Sequence, residues 1–261
     1  MLNWPSFAAA AVLFACAPTA SAQVFSAGLP AGWDCVGNCG TAAADGVVTL
    51  APGGGGRYGF VSTAGGLFGA SPFQFGGEAD GSRLTSTAFT AAAGDAVDFS
   101  FNYVTSDAGN YADYAWARLL RASDDSPVAL LFTARTRDSG SVVPGQDMPL
   151  PQATLSPSVV TIRGPGPAWS VLAESSDVCW SGLPGCGYTG WVDSTYTLAE
   201  SGSFKLEFGV VNWNDTGYQS GLAFDGLAVA GVPLVPEPQT WALMLAGLGG
   251  VGFVARRRRA G

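Results

Sequence analysis

Between residues 24 and 232 apolar and polar positions alternate in short runs, and no long stretch keeps the 3.6-residue period of an amphipathic helix. The clearest run is 95–103, where Val97, Phe99, Phe101 and Tyr103 share one face and Asp98, Ser100 and Asn102 the other. A period of two sends the first set into a core and the second toward water. Residues 204–210 repeat the pattern: Phe204, Leu206, Phe208 and Val210 oppose Lys205, Glu207 and Gly209, which puts Glu207 on a solvent-facing position. Further strand candidates are 46–50, 57–62, 83–89, 112–121, 128–135, 159–163, 191–198 and 222–230. About ten short strands in one domain predict an all-β fold, a two-sheet β-sandwich of jelly-roll-like topology, because two half-apolar sheets must bury their faces against each other. The glycine run 53–56 and the proline-broken stretch 138–157 read as loops.

The pattern changes at both ends. Residues 1–22 hold an apolar stretch and then Ala20-Ser21-Ala22, the small-residue pattern of a cleaved secretory signal peptide, so the mature chain is expected to start at Gln23. Residues 23–232 form the β-sandwich ectodomain, and 233–261 a separate tail. In that tail Val235-Pro236-Glu237-Pro238 precedes an apolar run at 241–255 and then Arg256, Arg257, Arg258 and Arg259. As a helix the run is about 22 Å long against a hydrocarbon core of roughly 30 Å, so a single transmembrane helix there spans only marginally. Gly247, Gly249, Gly250 and Gly252 weaken it further. The arginines stay on the cytoplasmic side.

In order and spacing this tail resembles the PEP-CTERM sorting signal of Gram-negative bacteria. The resemblance implies transient residence in the inner membrane, recognition and cleavage by an exosortase after passage through the secretion machinery, and delivery to the outer surface or extracellular matrix.

Charge narrows the partners. The whole chain carries a net charge of −8. Removing the four tail arginines from twelve cations, and Glu237 from twenty anions, leaves the exported part near −11. Such a surface repels nucleic acid and suits divalent cations. Cys16 leaves with the signal, and the spacing of Cys35, Cys39, Cys179 and Cys186 favours two local disulfides in an oxidising compartment over a four-thiolate zinc site.

The chain has no histidine, which removes Ser-His-Asp and Cys-His nucleophilic sites and the commonest general base at neutral pH. A carboxylate pair remains a route to glycoside hydrolysis, but Glu78, Glu174, Glu200, Glu207 and Glu237 are scattered, and nothing selects an acid and a base. A non-enzymatic protein is expected. The acidic set Asp107, Asn110 and Asp113, with Asp215 and Asp225 further on, offers oxygens of the kind calcium takes; the same residues also close Asx turns. Trp180 lies inside the second cysteine loop, with Tyr188 and Trp191 just beyond, an arrangement open both to stacking on sugar rings and to packing over a disulfide.

Phe101-Asn-Tyr-Val-Thr-Ser-Asp107, Ala112-Asp-Tyr-Ala-Trp-Ala-Arg-Leu-Leu120 and Ser220-Gly-Leu-Ala-Phe-Asp225 resemble strands of a family of uncharacterised PEP-CTERM surface proteins. That likeness supports a sandwich and assigns no activity. The expected role is a cell-surface or matrix protein associated with extracellular polysaccharide. Alternatives are a carbohydrate-binding module with a defined sugar site and a polysaccharide-active enzyme.

Overall fold

The computed structural model describes residues 23–164, 166–182 and 184–234. The signal peptide, the apolar run 241–255 and the sorting residues Val235 to Pro238 and Arg256 to Arg259 lie outside these. Among the described residues no helix is long and apolar enough to cross a membrane.

The strands are β1 (Asp34–Val36), β2 (Asn38–Ala42), β3 (Tyr58–Ser62), β4 (Leu67–Phe68), β5 (Glu78–Thr85), β6 (Phe89–Ala91), β7 (Ala96–Thr105) and β8 (Tyr114–Arg121). They continue with β9 (Pro127–Arg135), β10 (Thr154–Ser156), β11 (Gly187–Tyr188), β12 (Val192–Thr197), β13 (Gly202–Trp213), β14 (Ser220–Val229) and β15 (Val232–Pro233). One sheet runs β1-β5-β13-β8-β9, with β4 on β5 and β6 on β13; the other runs β10-β12-β7-β14-β3-β2, with β11 on β7 and β15 on β14. Both are antiparallel throughout.

The alternating runs built these sheets as expected. Val97, Phe99, Phe101 and Tyr103 of β7 meet Phe204, Leu206, Phe208 and Val210 of β13 in one core. Two stacked ring pairs cross from sheet to sheet: Phe101 on Phe132, with centroids 3.8 Å apart, and Phe208 on Phe224, at 4.0 Å. Such pairs contribute about 1 kcal/mol each beyond the area they bury. Trp116 is fully buried.

The weaker strand candidates fared differently. Residues 46–50 supply only the bridge Asp45 to Val48, and 159–163 only the bridge from Arg163 to Tyr188. The 83–89 candidate divides between β5 and β6, and the loop 138–157 contains the short β10.

Two burial expectations are corrected. Ser100 and Asn102, placed in water by the alternation, are buried. The outer face of their sheet carries a second core of Val48, Tyr58, Val104, Trp169, Leu172 and Ala223, half of it supplied by segments outside the strands that have no periodicity of their own. Gly221 is needed there, since a Cβ would stand 2.5 Å from the Trp169 ring. Glu207 is also buried rather than solvent-facing, at 3% exposure. Arg118, across the ladder on β8, reaches both its oxygens at 2.7 and 3.2 Å, and Trp116 Nε1 donates to it at 3.0 Å. A neighbouring strand supplies the counter-charge, and that makes the burial tolerable.

Both expected disulfides are present. Cys35–Cys39 joins β1 to β2, strands of opposite sheets, and so staples the two layers at one edge. Cys179–Cys186 closes a loop beside the end of β7.

Candidate functional site at the distal end

The two ends of the sandwich are distinguishable. β14 is ten residues long, about 33 Å at 3.3 Å per residue, and β15 folds back on its last residues at Ala228 and Val229. Leu234, the last described residue, then donates its N–H to Leu227 O, so the chain runs back along β14. The start of β14, the end of β13 and the end of β7 lie together at the other end, where Ser220 pairs with Thr105. This distal end gathers polar side chains inside the sandwich.

Asp113 is buried just before β8; its Oδ1 accepts the Trp213 backbone N–H at 2.9 Å and its Oδ2 the Ser220 hydroxyl at 2.7 Å. Ser220 Oγ lies 2.8 Å from Thr105 Oγ1, which Thr136 Oγ1 also contacts at 3.2 Å. The Tyr103 hydroxyl donates to the Asp113 carbonyl at 2.9 Å. Asp107 is equally buried: Oδ1 accepts the Ala108 N–H at 2.8 Å, while Oδ2 has no partner among the described residues. Asn212 Oδ1 is a second buried oxygen without a partner; its Nδ2 donates to Asp80 at 2.9 Å.

Burial pushes the Asp107 carboxyl up to about 7, with Asp215 adding like-charge repulsion. Burial raises Asp113 well above the ordinary carboxylate range, helped by the charges of Asp107 and Asp215. No ion pair among the described residues reaches either acid; the three such pairs are Arg118–Glu207, Arg121–Glu200 and Lys205–Asp125.

Of the five calcium candidates, the structure therefore brings Asp107, Asp113 and Asp215 within each other's field. Asn110 is exposed on the loop between Asp107 and Asp113. Asp225 lies apart, paired with Ser100 five residues along β14, on the opposite face from Ser220. Its Oδ2 accepts the Gly55 N–H at 3.1 Å, and burial raises its carboxyl. Among the described residues no three acidic side chains converge closely enough to hold a metal ion by themselves.

The three candidate aromatics do not form a common platform; none of their rings packs on another among the described residues. The Trp180 ring sits on Tyr111 with centroids 5.1 Å apart, so it braces the acid-bearing loop. Two backbone hydrogen bonds, Trp180 N to Ser106 O and Gly109 N to Pro184 O, fix the second disulfide loop to the same segment. Tyr188 and Trp191 pack into the second core, with Trp191 edge-on to Tyr58 and donating to Thr49 O.

Sequence reasoning passed over Asn212 and Ser220, although a signal was there. Asn212 continues the inward phase of Phe204, Leu206, Phe208 and Val210, and Ser220 that of Leu222 and Phe224. A polar residue at an inward position is the mark of a buried network. It also passed over an aromatic group on the other sheet, where Phe73 stacks on Phe75 at 5.4 Å beside Tyr114, and Arg135 lies 4.9 Å above the Trp213 ring.

The described chain ends against β14, and a match begins at the same point: the PEP-CTERM protein-sorting motif covers residues 234–259. The chain carries a PEP-CTERM sorting motif. The motif marks an exported surface protein processed by an exosortase. No curated protein matches the chain in sequence. Solved structures similar to it include two adhesin domains of Lys-gingipain from Porphyromonas gingivalis W83. The K1 domain is 10% identical, with a TM-score of 0.36, over 78% of this chain and 92% of that one. The K3 domain is 14% identical, with a TM-score of 0.38, over 80% and 98%.

Proposed function

We propose that the ectodomain is a non-enzymatic matrix protein that binds extracellular polysaccharide once its sorting tail has been cut. The observation that carries this reading is the sorting motif, which begins directly after β15 and supports export to the cell surface.

Glu207, a natural candidate acid, is held by Arg118 and Trp116 and is not itself free to shuttle a proton. The distal surface also carries an open cavity of about 580 Å³ lined by Tyr218, Glu174, Ser175 and Gln219, among others. One aromatic ring beside a carboxylate, an amide and a hydroxyl suits a hydroxyl-rich ligand. Ala173 and Tyr218 line it with positive φ angles of 52° and 47°, backbone strain of the kind that collects at binding sites. That cavity favours a second reading, a defined saccharide site.

Affinity electrophoresis of the mature protein through gels containing the host's own polymer tests both. Retardation of the mature protein supports polymer binding, and Tyr218→Ala abolishes it if a defined site is responsible. Unretarded migration contradicts both readings. Release of new reducing ends from the polymer would instead indicate an enzyme.

A further inference from the structure

We propose that the distal end binds one calcium ion, with Asp107 as its charged ligand. Three facts carry this. Asp107 is fully buried, and its Oδ2 has no hydrogen-bond donor among the described residues. Asn212, buried at the same end, presents a second oxygen without a partner. The domain is acidic, and none of the ion pairs described reaches these acids. A buried carboxylate with one oxygen left without a donor and no counter-ion is costly, and a cation from outside resolves the cost when the protein supplies none.

The ligand chemistry selects the ion. Too few acids converge to make an all-carboxylate site, and there is neither histidine nor free thiolate at this end, so the set is one of hard oxygens. Calcium accepts amide and carbonyl oxygens beside carboxylate in a flexible shell, whereas magnesium demands a tight octahedron. The scarcity of charge implies the modest affinity of extracellular calcium modules, a dissociation constant of roughly 10⁻⁴ to 10⁻³ M. The second disulfide loop, bonded to the backbone at Ser106 and Gly109, holds the acid-bearing segment in place.

The test uses the mature protein freed of metal by EDTA and dialysis. At calcium about ten times the dissociation constant, Tm is expected to rise by about 3–6 °C, with a smaller rise in magnesium. Asp107→Asn keeps an oxygen for the Ala108 N–H and is expected to lose the calcium rise, whereas Asp225→Asn keeps it. Equilibrium dialysis of the unsubstituted protein against radioactive calcium gives a readout independent of any variant, with one ion bound per chain expected. No binding by dialysis, or a full calcium rise in Asp107→Asn, overturns the proposal.

Discussion

The molecule buries carboxylates in two regions and treats them differently. On the outer face of one sheet, Glu207 lies in a cradle built by its own neighbours, with Arg118 on both oxygens and Trp116 on one. At the distal end, Asp107 and Asp113 receive only neutral donors, and one oxygen of Asp107 receives none. The Glu207 cradle is complete within the chain, while no cationic side chain pairs with the distal acids among the described residues. A buried ion pair whose partner comes from the adjacent strand is a structural device, while an acid network without such a partner is a place for something to bind.

Breaking the complete region should have the largest effect. Arg118→Ala leaves Glu207 buried without its cation and is expected to lower the unfolding free energy by about 3 kcal/mol, read from urea denaturation. Arg118→Met with Glu207→Leu should recover most of that loss, because the charge that needed a partner is gone. If the single substitution costs nothing, Glu207 has solvent enough of its own and the contrast collapses.

The disulfides sharpen the comparison at intermediate size. Replacing Cys179 and Cys186 by Ser removes a closure worth about 2 kcal/mol and frees the loop that braces residues 106–111, so the calcium rise in Tm should shrink as well. Replacing Cys35 and Cys39 should cost a similar amount and leave the calcium rise intact, since that bridge staples the sheets at β1 and β2. Equal losses of calcium response in the two variants would show that the second loop has no special relation to the acids.

The smallest effect belongs to Asp225. Burial raises its carboxyl above the ordinary 3.8, so the folded chain keeps a proton where the unfolded chain has released it. Its contribution to stability is therefore present at low pH and lost as pH rises through the raised value. Asp225→Asn should flatten that part of the stability profile in denaturation curves taken at several pH values, without altering the response to calcium.

Much of the fold was legible because it rests on period-two alternation: β7 and β13 and the core between them follow directly from Val97 to Tyr103 and Phe204 to Val210. The disulfides followed from local spacing. The second core did not, because Val48, Trp169 and Leu172 arrive on irregular segments whose burial depends on where sheet and loop meet. The burial of Glu207 depends on Arg118, some ninety residues earlier, and becomes visible only when β8 pairs with β13. At the distal site the acids could be named from the sequence, but not sorted. Asp113 meets Trp213 and Ser220 only once the strands pair, and the register of β14 sends Asp225 to the face opposite Ser220. Trp180 was placed in the right loop; that the loop leans on Tyr111 is a tertiary fact.

The central claim, that the distal acids take their counter-charge from solution, is most directly tested by terbium luminescence. Terbium substitutes for calcium and is excited through nearby indole rings, here those of Trp213, whose backbone N–H meets Asp113, and of Trp180 against Tyr111. The account predicts saturable emission at one ion per chain, displaced by calcium and lost in Asp107→Asn. Absence of sensitised emission from the mature protein, or emission unchanged in Asp107→Asn, would contradict it.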